Sequence, residues 1–248
     1  MFPLDAEVDQ LRSLFNVLER DGRLLAVAVA APYKAEVATI LGERLSPAAR
    51  RCGSINLFSR DLAGGLVGIN TDGVAALESL KETCGELSDL KMLILGCGGT
   101  GRAVISTLLD EVQAAQITVS VRDSKHSSWL TALGINHCRF SFSEVDIASF
   151  DVVVNCTTLG WGEHSDESPL SESEVAQLSD TCLVFDVVYQ PDPTLLLRLA
   201  QQRGLRILSG TRMNLLQAAI AFKTAARVND LKRVERAMTS SITRARLP

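Results

Sequence analysis

The 248-residue chain is poor in aromatic residues (5%), has three histidines and carries no excess of positive charge. Its 25 basic and 29 acidic residues leave a formal net charge of −4. That argues against a general nucleic-acid partner, which would demand a basic excess to neutralise phosphates. No apolar run reaches the roughly 18 residues that a membrane span needs, so no membrane partner is expected. The opening stretch MFPLDAEVDQLRSLF carries acids early and lacks a basic block followed by an apolar one, which is not the pattern of a secretory signal. Cys52, Cys84, Cys97, Cys138, Cys156 and Cys182 form no C-x-x-C pair and read as reduced thiols, so a cytoplasmic location is expected. His126, His137 and His164 show no metal-ligand spacing, and no metal site is expected. With 17 glycines and seven prolines the chain is not low-complexity, and 46% hydrophobic residues are enough for a real core.

What is present falls into two rhythms. Val8, Leu11, Leu14, Phe15 and Leu18 recur at helical spacing over 6–20, and Asp21-Gly22 ends that helix. LLAVAVA (24–30) reads as a buried strand, 35–51 as helix with a restart at Ser46-Pro47, and SINLFS and GLVGIN (54–59, 65–70) as a hairpin. From about residue 73 strands and helices alternate. A helix over 73–83 precedes the strand KMLILG (91–96), and a second helix runs from Thr100 to about Glu111. ITVSVR, a helix over 126–133, NHCRFS, VVVNCT, LVFDVV, a helix over 193–203 and LRILSG follow. This alternation predicts an α/β chain with a parallel sheet covered by helices on both faces. A last helical stretch is predicted over 213–246; the basic residues of its second half read as a solvated face.

Residues 96–101 (G-C-G-G-T-G) fit G-x-G-x-x-G, with a strand running into the turn and a helix leaving it. Gly96 would allow the tight turn, Gly98 would let the backbone approach a pyrophosphate, and Gly101 would let the helix pack on the strand. The N–H groups of Gly99, Thr100 and Gly101 would face the anion at the helix N-terminus. At the end of the next strand stand Arg122, Asp123 and Lys125. An acid there suits the ribose 2′-hydroxyl of NAD and an arginine the 2′-phosphate of NADP; the two cations tip the expectation to NADP, with NAD left open.

Several fragments resemble one family. A-P-Y-K (31–34), G-S-I-N (53–56), G-I-N-T-D-G (68–73), the glycine turn, N-C-T-T-L-G (155–160), F-D-V-V-Y-Q-P (185–191), T-L-L-L-R-L-A (194–200) and G-T-R-M-N-L-L-Q-A (210–218) fall in the order found in shikimate dehydrogenases, from about residue 8 to 225. The resemblance implies a small N-terminal α/β substrate domain over 1–72, completed by 213–248, and a Rossmann doubly wound parallel sheet for NADP over 73–212, with the active site in the cleft between them. It implies reversible hydride transfer between the nicotinamide and the carbon of a ring hydroxyl. Carried over by motif, Lys34 and Asp72 are the catalytic pair. Asn56, Tyr189 and Gln217 contact a hydroxy-acid substrate, and Thr157, Val188 and Gly210 lie near the nicotinamide. By themselves Lys34 would read as a surface lysine, Asp72 as the N-cap of the 73–83 helix, Asn56 as a turn residue and Gln217 as a helix polar residue.

The chain also departs from the family pattern. The family's Ser-x-Ser, which holds the substrate carboxylate, has no counterpart, because the chain begins after that point. Ala28 and Ala30 stand where the family has polar residues, Trp161 where it has Met against the nicotinamide, and Asn214 where it is apolar. The expectation is a shortened member whose small sheet has an exposed edge, covered in a homodimer or by another element. Three functions are in play: an NADP-dependent dehydrogenase of a shikimate-like acid, a relative repurposed for another substrate, and a non-catalytic nucleotide sensor.

Overall fold

The computed structural model describes residues 7–30, 33–122, 126–139 and 145–245. In chain order the elements are α1 (Leu11–Arg20), β1 (Ala26–Ala28), α2 (Lys34–Leu41), α3 (Pro47–Cys52), β2 (Leu57–Arg60), β3 (Leu66–Ile69), α4 (Thr71–Cys84), β4 (Met92–Leu95), α5 (Gly99–Leu108), β5 (Ile117–Val121), α6 (Ser127–Ala132), β6 (Asn136–Arg139), β7 (Val152–Asn155), α7 (Glu172–Val175), β8 (Leu183–Asp186), α8 (Leu195–Gln202), β9 (Arg206–Ser209), α9 (Gly210–Ala226) and α10 (Leu231–Ala245). They form two compact units. One is Met1–Asp72 with Leu215–Pro248, the other Gly73–Asn214, and the chain passes between them inside α4 and again inside α9.

In the first unit β1, β2 and β3 make an antiparallel sheet in which Val27 faces Phe58 and Phe58 faces Gly68. Leu11 and Phe15 of α1, and Val37, Ala38 and Leu41 of α2, bury their apolar stripes against Ile55, Phe58 and Leu66. A side chain at Gly68 would press on Leu41 and Leu45, each 2.7 Å from its Cβ position, so α2 lies almost on the strand backbone. Arg60 donates to the carbonyls of Leu24, Glu19, Asp21 and Gly64, fastening the end of α1 to the hairpin. Gly42, at φ 58°, ends α2; Pro47 then opens α3 at N1, with Ser46 accepting from the Ala49 amide.

The second unit is the predicted α/β layer structure. Its six strands are all parallel in the order β6-β5-β4-β7-β8-β9. β4, β7 and β8 are buried along their whole length, as strands covered on both faces must be. The chain builds outward from β4 through β5 to β6, then returns to the other side of β4 as β7. The ligand crevice of such a sheet opens at this reversal, at the carboxyl ends of β4 and β7.

Two local expectations are corrected. The helix predicted from 73 starts at Thr71, and its cap is Asn70, whose Oδ1 accepts the Asp72 amide at 3.0 Å; Asp72 sits inside the first turn. The single helical stretch predicted over 213–246 is two helices. Arg227 turns left-handed at φ 53°, and Asp230 accepts the Arg233 amide to cap α10.

Candidate functional site

In the first unit a polar cluster forms where β2, the end of β3 and the first turns of α2 and α4 meet. Lys34 is the first residue of α2, and its Nζ donates to Asp72 Oδ2 at 2.9 Å. The other carboxylate oxygen, Oδ1, accepts from Asn56 Nδ2 at 2.8 Å. Asn56 is itself fixed: Nδ2 also donates to Thr71 Oγ1 at 2.9 Å, and Oδ1 accepts the Thr71 amide at 2.8 Å. Asp72 thus has both oxygens held, and the N-terminal turn of α4 favours its charge. The Lys34 side chain is 28% exposed and that of Asp72 14%. The ammonium spends one of its three donors on Asp72, and its exposure leaves a face to which a ligand oxygen can come. Lys34, Asp72 and Asn56 are therefore brought together, although 38 residues separate the first two. Gln217 lies half-buried on α9 in the same unit.

In the second unit the glycine turn has the predicted build. Gly96 adopts φ 94°, and a Cβ there would fall 2.8 Å from Thr157 Cγ2. At Gly101 a Cβ would sit 2.3 Å from Gly96 O, so only glycine lets α5 close onto the end of β4. Gly98 and Gly99 have open space at their Cβ positions, with nothing within 4 Å. The first main-chain bond of α5 runs from the Arg102 amide to Gly98 O, so the amides of Gly99, Thr100 and Gly101 have no partner within the helix. Open backbone over unpartnered amides at a helix start fits a pyrophosphate, and the residues present fit a dinucleotide. Arg122 is exposed one residue past β5; Asp123 and Lys125 lie outside the described residues. Burial pushes the Cys97 thiol in the turn up to about 11 and raises that of Cys156 further, so both stay protonated.

Thr157, Val188, Tyr189 and Gly210 lie on segments that follow β7, β8 and β9. Tyr189 is 45% exposed and Val188 buried. Gly210 opens α9, where a Cβ would meet Val187 O at 2.3 Å.

The motifs N-C-T-T-L-G and F-D-V-V-Y-Q-P contain Asn155 and Asp186, but sequence reasoning gave neither residue the role of holding these segments. Asn155 ends β7 and Asp186 ends β8; with Thr194, the N-cap of α8, they are fully buried. Asp186 Oδ1 accepts from Asn155 Nδ2 at 2.9 Å and from the Val188 amide at 3.0 Å, and its Oδ2 accepts from Thr194 Oγ1 at 2.6 Å. The available signal was a polar residue closing each of two apolar runs, VVVN and LVFD. Burial raises the Asp186 carboxyl to about 6 against the pull of those hydrogen bonds.

The shikimate dehydrogenase (NADP(+)) of Bacillus licheniformis is 34% identical over 199 residues, which is 79% of this chain and 69% of that protein. The chain belongs to the shikimate dehydrogenase family. No protein-family model matches it. Among solved members of the family, the shikimate 5-dehydrogenase of Listeria monocytogenes, in complex with shikimate and NAD, is similar with a TM-score of 0.80 and 26% identity over 96% of this chain and 84% of that one. The Thermus thermophilus enzyme, in complex with NADP(H) and shikimate, is similar with a TM-score of 0.77 and 28% identity over 94% of this chain and 84% of that one. Among the described residues no group of three or more His, Cys, Asp or Glu could hold a metal ion, and no helix is long and apolar enough to cross a membrane.

Proposed function

We propose that the chain is an oxidoreductase that interconverts shikimate and 3-dehydroshikimate with NADP(H). The observation that carries this reading is the lysine–carboxylate pair held at 2.9 Å and steadied by Asn56, in a chain of this family. The first unit binds the hydroxy acid and the second, with its glycine turn, the nucleotide. When bound, the nicotinamide supplies the two-electron chemistry at the ring carbon.

The residues of the chain handle the proton. In the reducing direction Lys34 Nζ donates its proton to the carbonyl oxygen as that oxygen gains negative charge; in the oxidising direction the neutral amine takes the proton from the hydroxyl. The positive charge of Nζ stabilises the developing alkoxide. Asp72 holds Nζ on one oxygen and is itself held on the other by Asn56, which narrows the positions Nζ samples and raises the fraction of productive encounters. Asn56, Tyr189 and Gln217 contact the substrate. Gly96, Gly98, Gly99, Thr100 and Gly101 seat the pyrophosphate, Arg122 supplies a cation for the 2′-phosphate, and Thr157, Val188 and Gly210 border the nicotinamide. The chain acts in the cytoplasm, where free cysteines stay reduced, and as a homodimer.

Replacing Lys34 with Ala is expected to lower kcat by about 10²–10⁴-fold, the range of a lost general acid–base, and Asp72→Asn to lower it less. NADP binding, read by fluorescence titration, stays at wild-type strength in both. Full turnover of shikimate in either variant would remove the assignment.

A further inference from the structure

Asp186 carries a charge where none is needed for packing. It is fully buried at the end of β8, and among the described residues no cationic side chain pairs with it. A buried carboxylate without a cation disfavours folding, so its presence at this place points to a task other than stability.

Its hydrogen bonds reach three separate segments of the chain. Through Val188 and Thr194 it grips both ends of the segment that leaves β8 and enters α8. Through Asn155 it grips the segment that leaves β7: Asn155 Nδ2 also donates to Leu159 O at 3.1 Å, and Asn155 Oδ1 accepts from the Thr157 amide at 2.9 Å and from Thr157 Oγ1 at 2.7 Å. Thr157 Oγ1 in turn accepts the Leu159 amide. Gly160, at φ 98°, comes close enough that a Cβ would touch Thr194 at 3.5 Å. Two loops from neighbouring strands and the start of α8 are thus tied to one carboxylate. Beyond the ties they wall a cavity of about 600 Å³: Trp161 and Gly162 come from the first loop, Gln190 and Pro191 from the second, and Arg198 from α8.

We propose that Asp186 is a positioning residue that sets the loops after β7 and β8 in one fixed arrangement, so that Thr157, Val188 and Tyr189 are in place before cofactor and substrate arrive. This rests on the function proposed above. Asparagine cannot replace the carboxylate fully. With its Oδ1 toward Asn155 and the Val188 amide, its Nδ2 meets Thr194, whose hydroxyl proton then loses its acceptor; turned the other way, its Nδ2 meets two donors.

The test uses the whole chain with Trp129→Phe, which leaves Trp161, itself 54% exposed, as the sole tryptophan. On this background Asp186→Asn is expected to increase acrylamide quenching of Trp161 without any nucleotide present. It is expected to weaken NADP binding about tenfold, the effect of losing one bond to a charged group. The Tm at pH 8 does not fall. Unchanged quenching, unchanged NADP affinity, or a Tm that drops together with activity would each overturn the proposal. Should Asp186→Asn fail to fold, Thr194→Val is expected to increase the quenching and Thr194→Ser to leave it near wild type; the reverse order also overturns it. If the parent binds no NADP, the proposed function fails, while the quenching still decides the role of Asp186.

Discussion

At the scale of single residues the two carboxylates of interest live in opposite surroundings. Asp72 is partly exposed, salt-bridged and at a helix start, where its charge is welcome. Asp186 is sealed in, and burial raises its carboxyl from 3.8 to about 6, with the nearby Asp192 carboxylate adding to the rise. The Cys156 thiol on the adjoining loop, itself pushed up by burial and by Asp186, stays neutral. The folded chain therefore holds the Asp186 proton more tightly than the unfolded one. The stability gained from that proton is complete below about pH 4 and is lost as pH rises through 6. Keeping so strongly raised a carboxyl ionised costs the fold roughly 3 kcal/mol at neutral pH. Asp186→Asn is neutral throughout and lacks this slope. Urea unfolding is expected to show the variant gaining on the wild type, by up to that amount, between pH 4 and pH 7. Parallel pH curves for the two proteins would mean that the carboxyl is not destabilised by burial.

At the scale of elements the glycine turn separates two demands that the sequence motif merges. Gly101 is required by packing, since a Cβ would lie 2.3 Å from Gly96 O and 3.4 Å from Cys156 Cβ. Gly98 has φ −73° and no atom within 4 Å of a Cβ, so nothing in the fold asks for glycine there. Gly101→Ala is expected to destabilise the chain by about 1–3 kcal/mol, as overpacking does. Gly98→Ala is expected to change stability by less than about 0.5 kcal/mol while weakening NADP binding, because its methyl takes the space the pyrophosphate would use. Thermal melts and titrations of the two variants separate the cases; equal melts would contradict the packing assignment. Such elements were legible because strand, turn and helix lie within a dozen residues. The parallel sheet likewise followed from alternating apolar runs. The order of its strands did not, since β4, β7 and β8 are buried alike and any of them satisfies the same pattern. The break in the C-terminal helices was also hidden: Arg227 is not a residue type that announces a left-handed turn. At the site, Lys34 and Asp72 could be named from motifs. Asn155 and Asp186 also stand in quoted motifs, but their joint role with Thr194 could not be read there, because what marks the group is burial with mutual hydrogen bonds across two strands.

At the scale of the whole molecule the small sheet poses the remaining question. Among the described residues β1 pairs with β2 alone. The Arg60 amide donates to Leu25 O, and the Val29 amide donates to Asn56 O. Antiparallel strands alternate the direction of their main-chain groups, so Leu25, Val27 and Val29 turn inward to β2 while Ala26 and Ala28 turn their N–H and C=O outward. A free strand edge is a template for another strand. Ala28 and Leu25 are exposed, and small or apolar residues along this edge put neither charge nor bulk in the way of a second copy. The expected outcome is a dimer through paired β1 edges, seen as twice the chain mass by light scattering after gel filtration. Ala26→Pro removes an outward N–H without touching a bond to β2, so it should shift the dimer to monomer and leave the melting temperature of the monomer intact. A wild-type chain that stays monomeric at every concentration tried would rule the dimer out, and an Ala26→Pro chain that remains dimeric would move the interface away from β1.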